Sequence, residues 1–424
     1  MIFNWWLDES GVSDADGIIA DGAIRSGKTL PMSTAFIERS MRVYNGVNHG
    51  MAGKTIGALR RNVIGPLKQV LPGRGYKVVD HRSAETPHLE VSRGRRTNYY
   101  HLFGGNNEKS QDPVQGFTGG DFYFDEVALM PQSFVNQAEG RCSMDDSKFW
   151  YNCNPEGPAH WFKLEYIDNL KEKNLLHLHF LMEDNHSLSQ KVIDRYERRW
   201  AKGSIFYRRF IRGEWCLAEG RVFPFFDEDL SAGYVVDQVP ANFIEFLVGL
   251  DYGISNPFIA SLWGLSGGVW YILKEFYWDS IKEKHQKSNP DYIEDMVRLI
   301  NWNGKPVYPR KILIPPEENG FIKDLKRAGQ TRPNICGVDA ADNKIMPGIE
   351  DVTTLLSLGK LKINRSCPAT IHGLNNLLWD PKAQAQGKDM YLKGGSGAAD
   401  HPVDMVRYNS RYAAKVLRQM GLIL

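Results

Sequence analysis

The apolar positions of this chain change their spacing along its length. Gly17-Ile18-Ile19-Ala20-Asp21 is a short apolar run with the length of a buried strand, and Leu30 to Asn45 follows with helical spacing. Pro31 falls in the first turn, where a helix tolerates it. Phe122-Tyr123-Phe124 and Phe149-Trp150-Tyr151 are two more strand-like runs, each ending in small or charged polar residues. Short strands alternating with helices predict an α/β sheet from Met1 to about Asn185. From His186 to Trp215 the pattern becomes helical and basic-aromatic, as in Tyr196, Arg198, Arg199 and Trp200 and again in Phe206 to Phe210. A meander comes next, with strands expected over Phe243 to Asp251, Pro257 to Leu265 and Val269 to Trp278. Gly267-Gly268 supplies the hairpin turn between the last two. A final helix is expected to open at Asp400. The domains predicted from this pattern are 1–185, a helical linker over 186–225, and 226–424.

The strand ends carry the candidate chemistry. Gly22-Ala23-Ile24-Arg25-Ser26-Gly27-Lys28-Thr29 spells G-x-x-x-x-G-K-[ST] between the first strand and the first helix. Such a loop turns backbone N–H groups onto phosphates at a helix N-terminus. Lys28 would reach the β- and γ-phosphates of ATP, the Thr29 hydroxyl would bind Mg²⁺, and Gly22, Arg25, Ser26 and Gly27 complete the cradle. Asp125 and Glu126 end the Phe122 strand. They suit a metal-side aspartate and a base that orients the attacking water. Asn152-Cys153-Asn154-Pro155 ends the next strand, and Asn154 suits a γ-phosphate sensor as well as it suits an Asn-Pro turn.

A second constellation lies in the other half. Asp251 ends a strand, and Asp400, His401 and Asp404 share one face of the last helix. An aspartate at a strand end with acids on a late helix outlines a two-metal nuclease of the ribonuclease-H type. Asp400 is more simply read as the helix N-cap. Asp251 and Asp404 supply only two carboxylates, so a third acid is needed. Ile312-Leu313-Ile314 reads as a buried strand, and Glu317 or Glu318 just beyond its end is placed to supply it, with Glu317 preferred. Glu275 is a more distant alternative.

Composition narrows the class. In 424 residues the formal net charge is +2, so any nucleic-acid contact must be local, through patches such as Arg93-Gly94-Arg95-Arg96. Five scattered cysteines with no C-x-x-C pair indicate neither a disulfide framework nor a zinc site. The acidic N-terminus lacks a signal-peptide pattern, and no apolar run has membrane-spanning length.

A phosphate-loop ATPase followed by a ribonuclease-H-like nuclease resembles the large terminase subunit of tailed bacteriophages, in its PBSX-like branch. The similar stretches include Asp21-Gly22…Lys28-Thr29, Phe124-Asp125-Glu126, Asn152-Cys153-Asn154-Pro155, Glu183-Asp184-Asn185-His186 and Gly213-Glu214-Trp215. They continue with Gly220-Arg221-Val222-Phe223-Pro224, Gly249-Leu250-Asp251-Tyr252-Gly253 and Asp400-His401-Pro402-Val403-Asp404…Arg407-Tyr408. The resemblance implies an additional-strand ATPase domain plus a ribonuclease-H-like domain. It implies a motor that threads double-stranded DNA through a portal protein into a procapsid, and a nuclease that cuts the concatemer with Mg²⁺ or Mn²⁺. The implied partners are a small terminase subunit and the portal, on which the subunits form a ring, in the cytoplasm of the bacterial host. Three departures stand out. The adenine-contacting segment before the first strand is short or absent. Gln115-Gly116 stands where relatives often carry a basic residue, so an arginine finger would come from Arg25, Arg141 or elsewhere. Pro315 stands where relatives place the central nuclease aspartate. A helicase or repair ATPase with an inactive nuclease-like docking domain is the competing reading.

Overall fold

The computed structural model describes residues 1–106, 112–253, 257–394 and 399–423. They divide into two compact units, 1–193 with 208–216, and 194–207 with 217–424. The stretch expected as a linker is therefore shared between the units.

The first unit is built on an eight-stranded sheet. Its strands are β1 (Gly17–Gly22), β2 (Asn48–Gly53), β3 (Lys77–His81), β4 (His88–Arg93), β5 (Arg96–Gly104), β6 (Phe122–Phe124), β7 (Phe149–Asn152) and β8 (Leu175–Phe180). Their order is β3-β4-β5-β2-β6-β7-β1-β8, parallel from β5 to β8, with β3 and β4 antiparallel at one edge. β1 is buried on both faces because helices cover both sides of a parallel sheet. Ile18 and Ala20 enter the core on one side and Ile19 the core on the other. β6, which Asp125 follows, does not adjoin β1; β7 is inserted between them. That insertion is the additional-strand arrangement.

The second unit has strands β9 (Val235–Val236), β10 (Glu245–Asp251), β11 (Phe258–Ser266), β12 (Val269–Trp278), β13 (Asn301–Trp302), β14 (Lys305–Pro306), β15 (Lys311–Ile314), β16 (Val338–Ala340) and β17 (Leu361–Asn364). β13 and β14 form a small ribbon, and the other seven form one sheet in the order β16-β15-β10-β11-β12-β17-β9. β10, β11 and β12 are an antiparallel meander turned at Gly267-Gly268, and β15 lies parallel to β10. This is the ribonuclease-H-like topology. The helix Asp400–Gln419 buries Val403, Met405 and Val406. Its first residue is Asp400, so the N-cap expected there is instead Ala399, which makes no side-chain cap bond. Asp400 turns back to accept the Gly394 N–H at 2.9 Å, which ties it to the chain before the helix rather than to the helix's own first turn. No helix among the described residues is long and apolar enough to cross a membrane.

Candidate nucleotide cleft and carboxylate site

The eight-residue loop leaves β1 at Gly22 and enters the helix Thr29–Val43. Gly22 has φ 128°, and a Cβ there would run into the Phe180 backbone, so only glycine lets the loop start its turn against β8. A cleft of about 510 Å³ opens over this loop. Its lining brings together Arg25, Ser26, Gly27, Lys28 and Thr29 with Asp125, Glu126 and Asn154. Lys28 Nζ donates to Ala23 O at 3.0 Å and to Asn154 Oδ1 at 2.7 Å. Burial lowers the Lys28 pKa, and the nearby Asp21, Asp125 and Glu126 charges oppose that shift. The Ser26 hydroxyl is buried without a partner among the described residues. An orphaned polar atom beside a cation, in a cradle of loop backbone, is what a bound phosphate would complete.

Asn152 ties the acids to the strand beside them. Its amide donates to Asp125 Oδ1 at 3.0 Å and its oxygen accepts the Glu126 N–H at 3.1 Å. Glu126 sits in the left-handed region at φ 57°, a conformation that costs a non-glycine residue energy and re-aims its side chain. Burial pushes Asp125 up to about 6; the Glu126 charge adds to the rise, and bonds from Asn152 and Asn62 oppose it. A buried carboxyl whose pKa is raised in this way suits a divalent cation, whose charge would favour the ionised form.

Several members of this cleft are not visible as a motif. Arg61, Asn62 and Pro66 line it from the segment after β2. Arg141, one of the expected arginine sources, does not line it, whereas Arg25 does. Beneath the loop, the fully buried Asp21 accepts from Trp215 Nε1 at 2.6 Å and contacts ring nitrogens of His177 at 2.8 Å and His179 at 2.9 Å. Burial alone would raise the Asp21 carboxyl, but His177, Trp215 and His179 together bring it below its ordinary value. The alternating His-x-His on one face of β8 is the single sequence signal that points to it.

In the second unit, Asp251 at the end of β10 meets the last helix. Its Oδ2 lies 2.7 Å from His401 Nδ1, and its Oδ1 lies 3.5 Å from the Tyr408 hydroxyl. Burial lifts Asp251 to about 6; the His401 bond opposes the rise and the Asp404 charge adds to it. Burial disfavours the charged His401 ring, yet the Asp251 bond and charge raise its pKa overall. Asp404 is buried, and its Oδ1 accepts from Arg407 Nε at 2.9 Å, from Arg407 Nη2 at 2.6 Å and from the Tyr391 hydroxyl. Arg407 Nη1 also donates to the carbonyls of Asn343 and Lys344 at 3.1 and 3.0 Å.

Glu317 is exposed, and its Oε1 accepts from Asn343 Nδ2 at 2.5 Å; its charge is felt by Tyr408. Glu318 precedes the helix Asn319–Ala328 and makes no side-chain cap bond. Glu275 accepts from the N–H groups of Ala369 and Thr370 and from the Thr370 hydroxyl at 2.6–3.0 Å, so it anchors the start of the helix Pro368–Asn376. Among the described residues no group of three or more His, Cys, Asp or Glu side chains is gathered as a metal site. What fits a cation here is the pair: two buried carboxylates repel each other, and of the two Asp404 alone holds an arginine among the described residues.

A family profile described as "Terminase large subunit, T4likevirus-type, N-terminal" matches residues 20–230. The large terminase of a thermophilic bacteriophage superposes on this chain with a TM-score of 0.83 at 45% identity, covering 97% of both chains. Structures of that same phage protein in complex with ADP and with ATP-γ-S match with TM-scores of 0.79 and 0.78 at 44% identity, again over 97% of both chains. The terminase large subunit of Escherichia phage T5 is 22% identical over 297 residues, which span 67% of this chain and 63% of that protein. With 45% identity over a match that takes in both units, the chain belongs to the large terminase family.

Proposed function

We propose that this chain is the motor subunit that packages the genome of a tailed bacteriophage. In this reading ATP hydrolysis in residues 1–185 drives double-stranded DNA through the portal into the procapsid. A metal-dependent nuclease in residues 226–424 cuts the concatemer, and 186–225 connects the two activities. The observation that carries the first half is the contact of Lys28 Nζ with Asn154 Oδ1 in a cleft that also holds Asp125 and Glu126. A cation and a polar sensor meet there opposite a base and a metal-side acid, which is the set phosphoryl transfer to water requires.

The residues then have separate tasks. The loop N–H groups and the Ser26 hydroxyl hold phosphate oxygens, and Lys28 neutralises the β- and γ-phosphates. Glu126, turned by its left-handed backbone and tied through Asn152, orients the attacking water and takes its proton. Thr29 and Asp125 would hold Mg²⁺, which would supply positive charge to offset the negative charge of the phosphates. In the second unit Asp251 and Asp404, with Glu317 or Glu318 as third acid, would hold Mg²⁺ or Mn²⁺, which would activate water for phosphodiester cleavage. His401 fixes the orientation of Asp251. The partners in this reading are double-stranded DNA, the portal protein and the small terminase subunit, with subunits ringed on the portal in the host cytoplasm.

One observation favours a second reading. Arg407 and Tyr391 already occupy Asp404, which would suit a helicase or repair ATPase with an inactive nuclease-like domain. The deciding experiment pairs Mg²⁺-ATP hydrolysis, with and without linear duplex DNA, with plasmid nicking in Mn²⁺ with and without chelator. Hydrolysis with chelator-sensitive nicking supports the packaging reading. Hydrolysis without nicking supports the alternative.

A further inference from the structure

The segment after β2 carries no recognisable motif, yet it forms one wall of the nucleotide cleft. Arg60–Ile64 is a single π-helical turn between the short helices Ile56–Leu59 and Gly65–Val70. Such turns widen the backbone and recur at functional sites. Its first three residues have different fates. Arg60 is held away from the cleft, with Nη1 on Asp80 Oδ1 at 2.8 Å. Lys68 and Arg82 share Asp80, and despite burial the three cations keep that carboxyl near 2. Asn62 lines the cleft near Asp125 and opposes the rise of its pKa. Arg61 lies between Arg60 and Asn62, lines the cleft, and makes no hydrogen bond or ion pair among the described residues. An exposed arginine is usually just a solvated side chain. Here the Arg60–Asp80 ion pair ties down the backbone beside it, and Arg61 lines the same cleft as Lys28 and the loop, within reach of a ligand held there.

We propose that Arg61 is a catalytic arginine acting in cis, binding the terminal phosphoryl oxygens of a nucleoside triphosphate. This rests on the reading of the cleft as an ATPase site. The O–P bond from water to the γ-phosphorus forms as the bond from that phosphorus to the bridging oxygen breaks. The electron pair leaves with the diphosphate, and the water proton passes to Glu126. Arg61 donates hydrogen bonds throughout and moves no proton, since its guanidinium stays charged. Its fork suits two oxygens of the γ-phosphoryl group, and charge spreading over those oxygens in the transition state strengthens the contact.

The test uses the full chain with Mg²⁺-ATP and the variants Arg61→Ala, Arg61→Lys and Lys28→Ala. Hydrolysis is read as kcat and KM, and affinities for ADP and ATP-γ-S are measured separately by displacement of a fluorescent nucleotide. Arg61→Ala should lower kcat by roughly 10³-fold, as for other arginines on a transferring phosphoryl group. ADP affinity should stay within about 3-fold, because no γ-phosphoryl group is present to lose a contact. ATP-γ-S affinity should fall more than ADP affinity, and Arg61→Lys should restore only part of the rate, because a point charge replaces a fork. Unchanged kcat in Arg61→Ala overturns the proposal. Equal loss of ADP and ATP-γ-S affinity with kcat maintained also overturns it, and makes Arg61 a contact to the part of the nucleotide that the two share. If the wild-type chain hydrolyses no faster than Lys28→Ala, the ATPase reading itself falls. The two affinities still decide Arg61 in that case: selective loss for ATP-γ-S supports a γ-phosphoryl contact, and equal loss refutes it.

Discussion

The two polar centres of this molecule hold an aspartate at nearly the same pKa and use their cations in opposite ways. Asp125 directly follows a strand and Asp251 ends one, both are buried, and both rise to about 6 with a second carboxylate adding to the effect. In the first unit the cation beside the acid is Lys28, held by one carbonyl and one amide oxygen at the edge of an open cleft. In the second, Arg407 grips Asp404 with two nitrogens and two main-chain carbonyls with a third. A lysine held by neutral acceptors is free to exchange them for phosphate. An arginine that closes an ion pair and two backbone bonds is part of the architecture. Similar acid chemistry therefore does not imply similar readiness: the first centre has charge to offer a ligand, and the second has mostly satisfied its own.

The strongest break of this contrast comes from the exchangeable cation. Lys28→Ala should lower ATP hydrolysis by at least roughly 10²-fold, since it removes a charge aimed at the developing negative oxygens. Its thermal unfolding temperature should hold or rise, because a desolvated ammonium is removed. Glu126→Gln should also abolish turnover while nucleotide affinity persists. Steady-state hydrolysis, nucleotide binding and thermal melts read all three; near-normal hydrolysis by Lys28→Ala would remove the site assignment.

Next in size is the third acid proposed for the second centre. A Glu317→Ala, Glu318→Ala double variant should lose Mn²⁺-dependent nicking and retain ATP hydrolysis, because neither glutamate lines the nucleotide cleft. Wild-type nicking across a Mn²⁺ titration would mean that Asp251 and Asp404 suffice.

The architectural cation should behave inversely to Lys28. Arg407→Ala leaves buried Asp404 with only the Tyr391 hydroxyl and takes their guanidinium donor from the carbonyls of Asn343 and Lys344, a loss of about 3–5 kcal/mol for breaking a buried ion pair. The urea midpoint of the second unit should fall, and ATP hydrolysis should not. A variant with an unchanged midpoint would make Arg407 as exchangeable as Lys28, and the contrast between the centres would disappear.

The smallest expected effect concerns pH. Asp125 and Asp251 have folded pKa values of about 6 against ordinary values of 3.8. The folded state therefore binds these protons more tightly than the unfolded chain does. Their contribution to stability is fully present below about pH 4 and is lost as pH rises through about 6. Asp125→Asn should raise the melting temperature at about pH 8, measured without divalent cations, and change it little at about pH 4. A gain that is the same at both values would mean that Asp125 is ionised throughout.

Much of this is legible in sequence because it is local. The glycine-rich loop between β1 and the first long helix reads directly, since Gly22, Gly27, Lys28 and Thr29 are set by the turn and the helix start they form. The meander is equally plain from alternation and the Gly267-Gly268 turn. Asp400 reads as a cap but lies one residue inside the helix, because cap geometry depends on backbone that no pattern encodes. Arg61 and Asn62 carry no signal, since a π-helical turn has no sequence period to recognise. Asp21 looks like the last residue of a strand, and only the approach of His177, His179 and Trp215 makes it a buried junction.

The sequence by itself determined the two kinds of sheet, the loop shaped for phosphate, and the residues at the strand ends, because each follows from contacts among neighbours along the chain. Tertiary structure decided which of those polar residues meet. Asp251 is paired with His401, Lys28 with Asn154, and Asp21 with Trp215 across 150, 126 and 194 positions. It also decided what each group is worth, since burial and the charge of a distant neighbour set the pKa of Asp125 and Asp251, and neither is a property of the residues beside them in the chain.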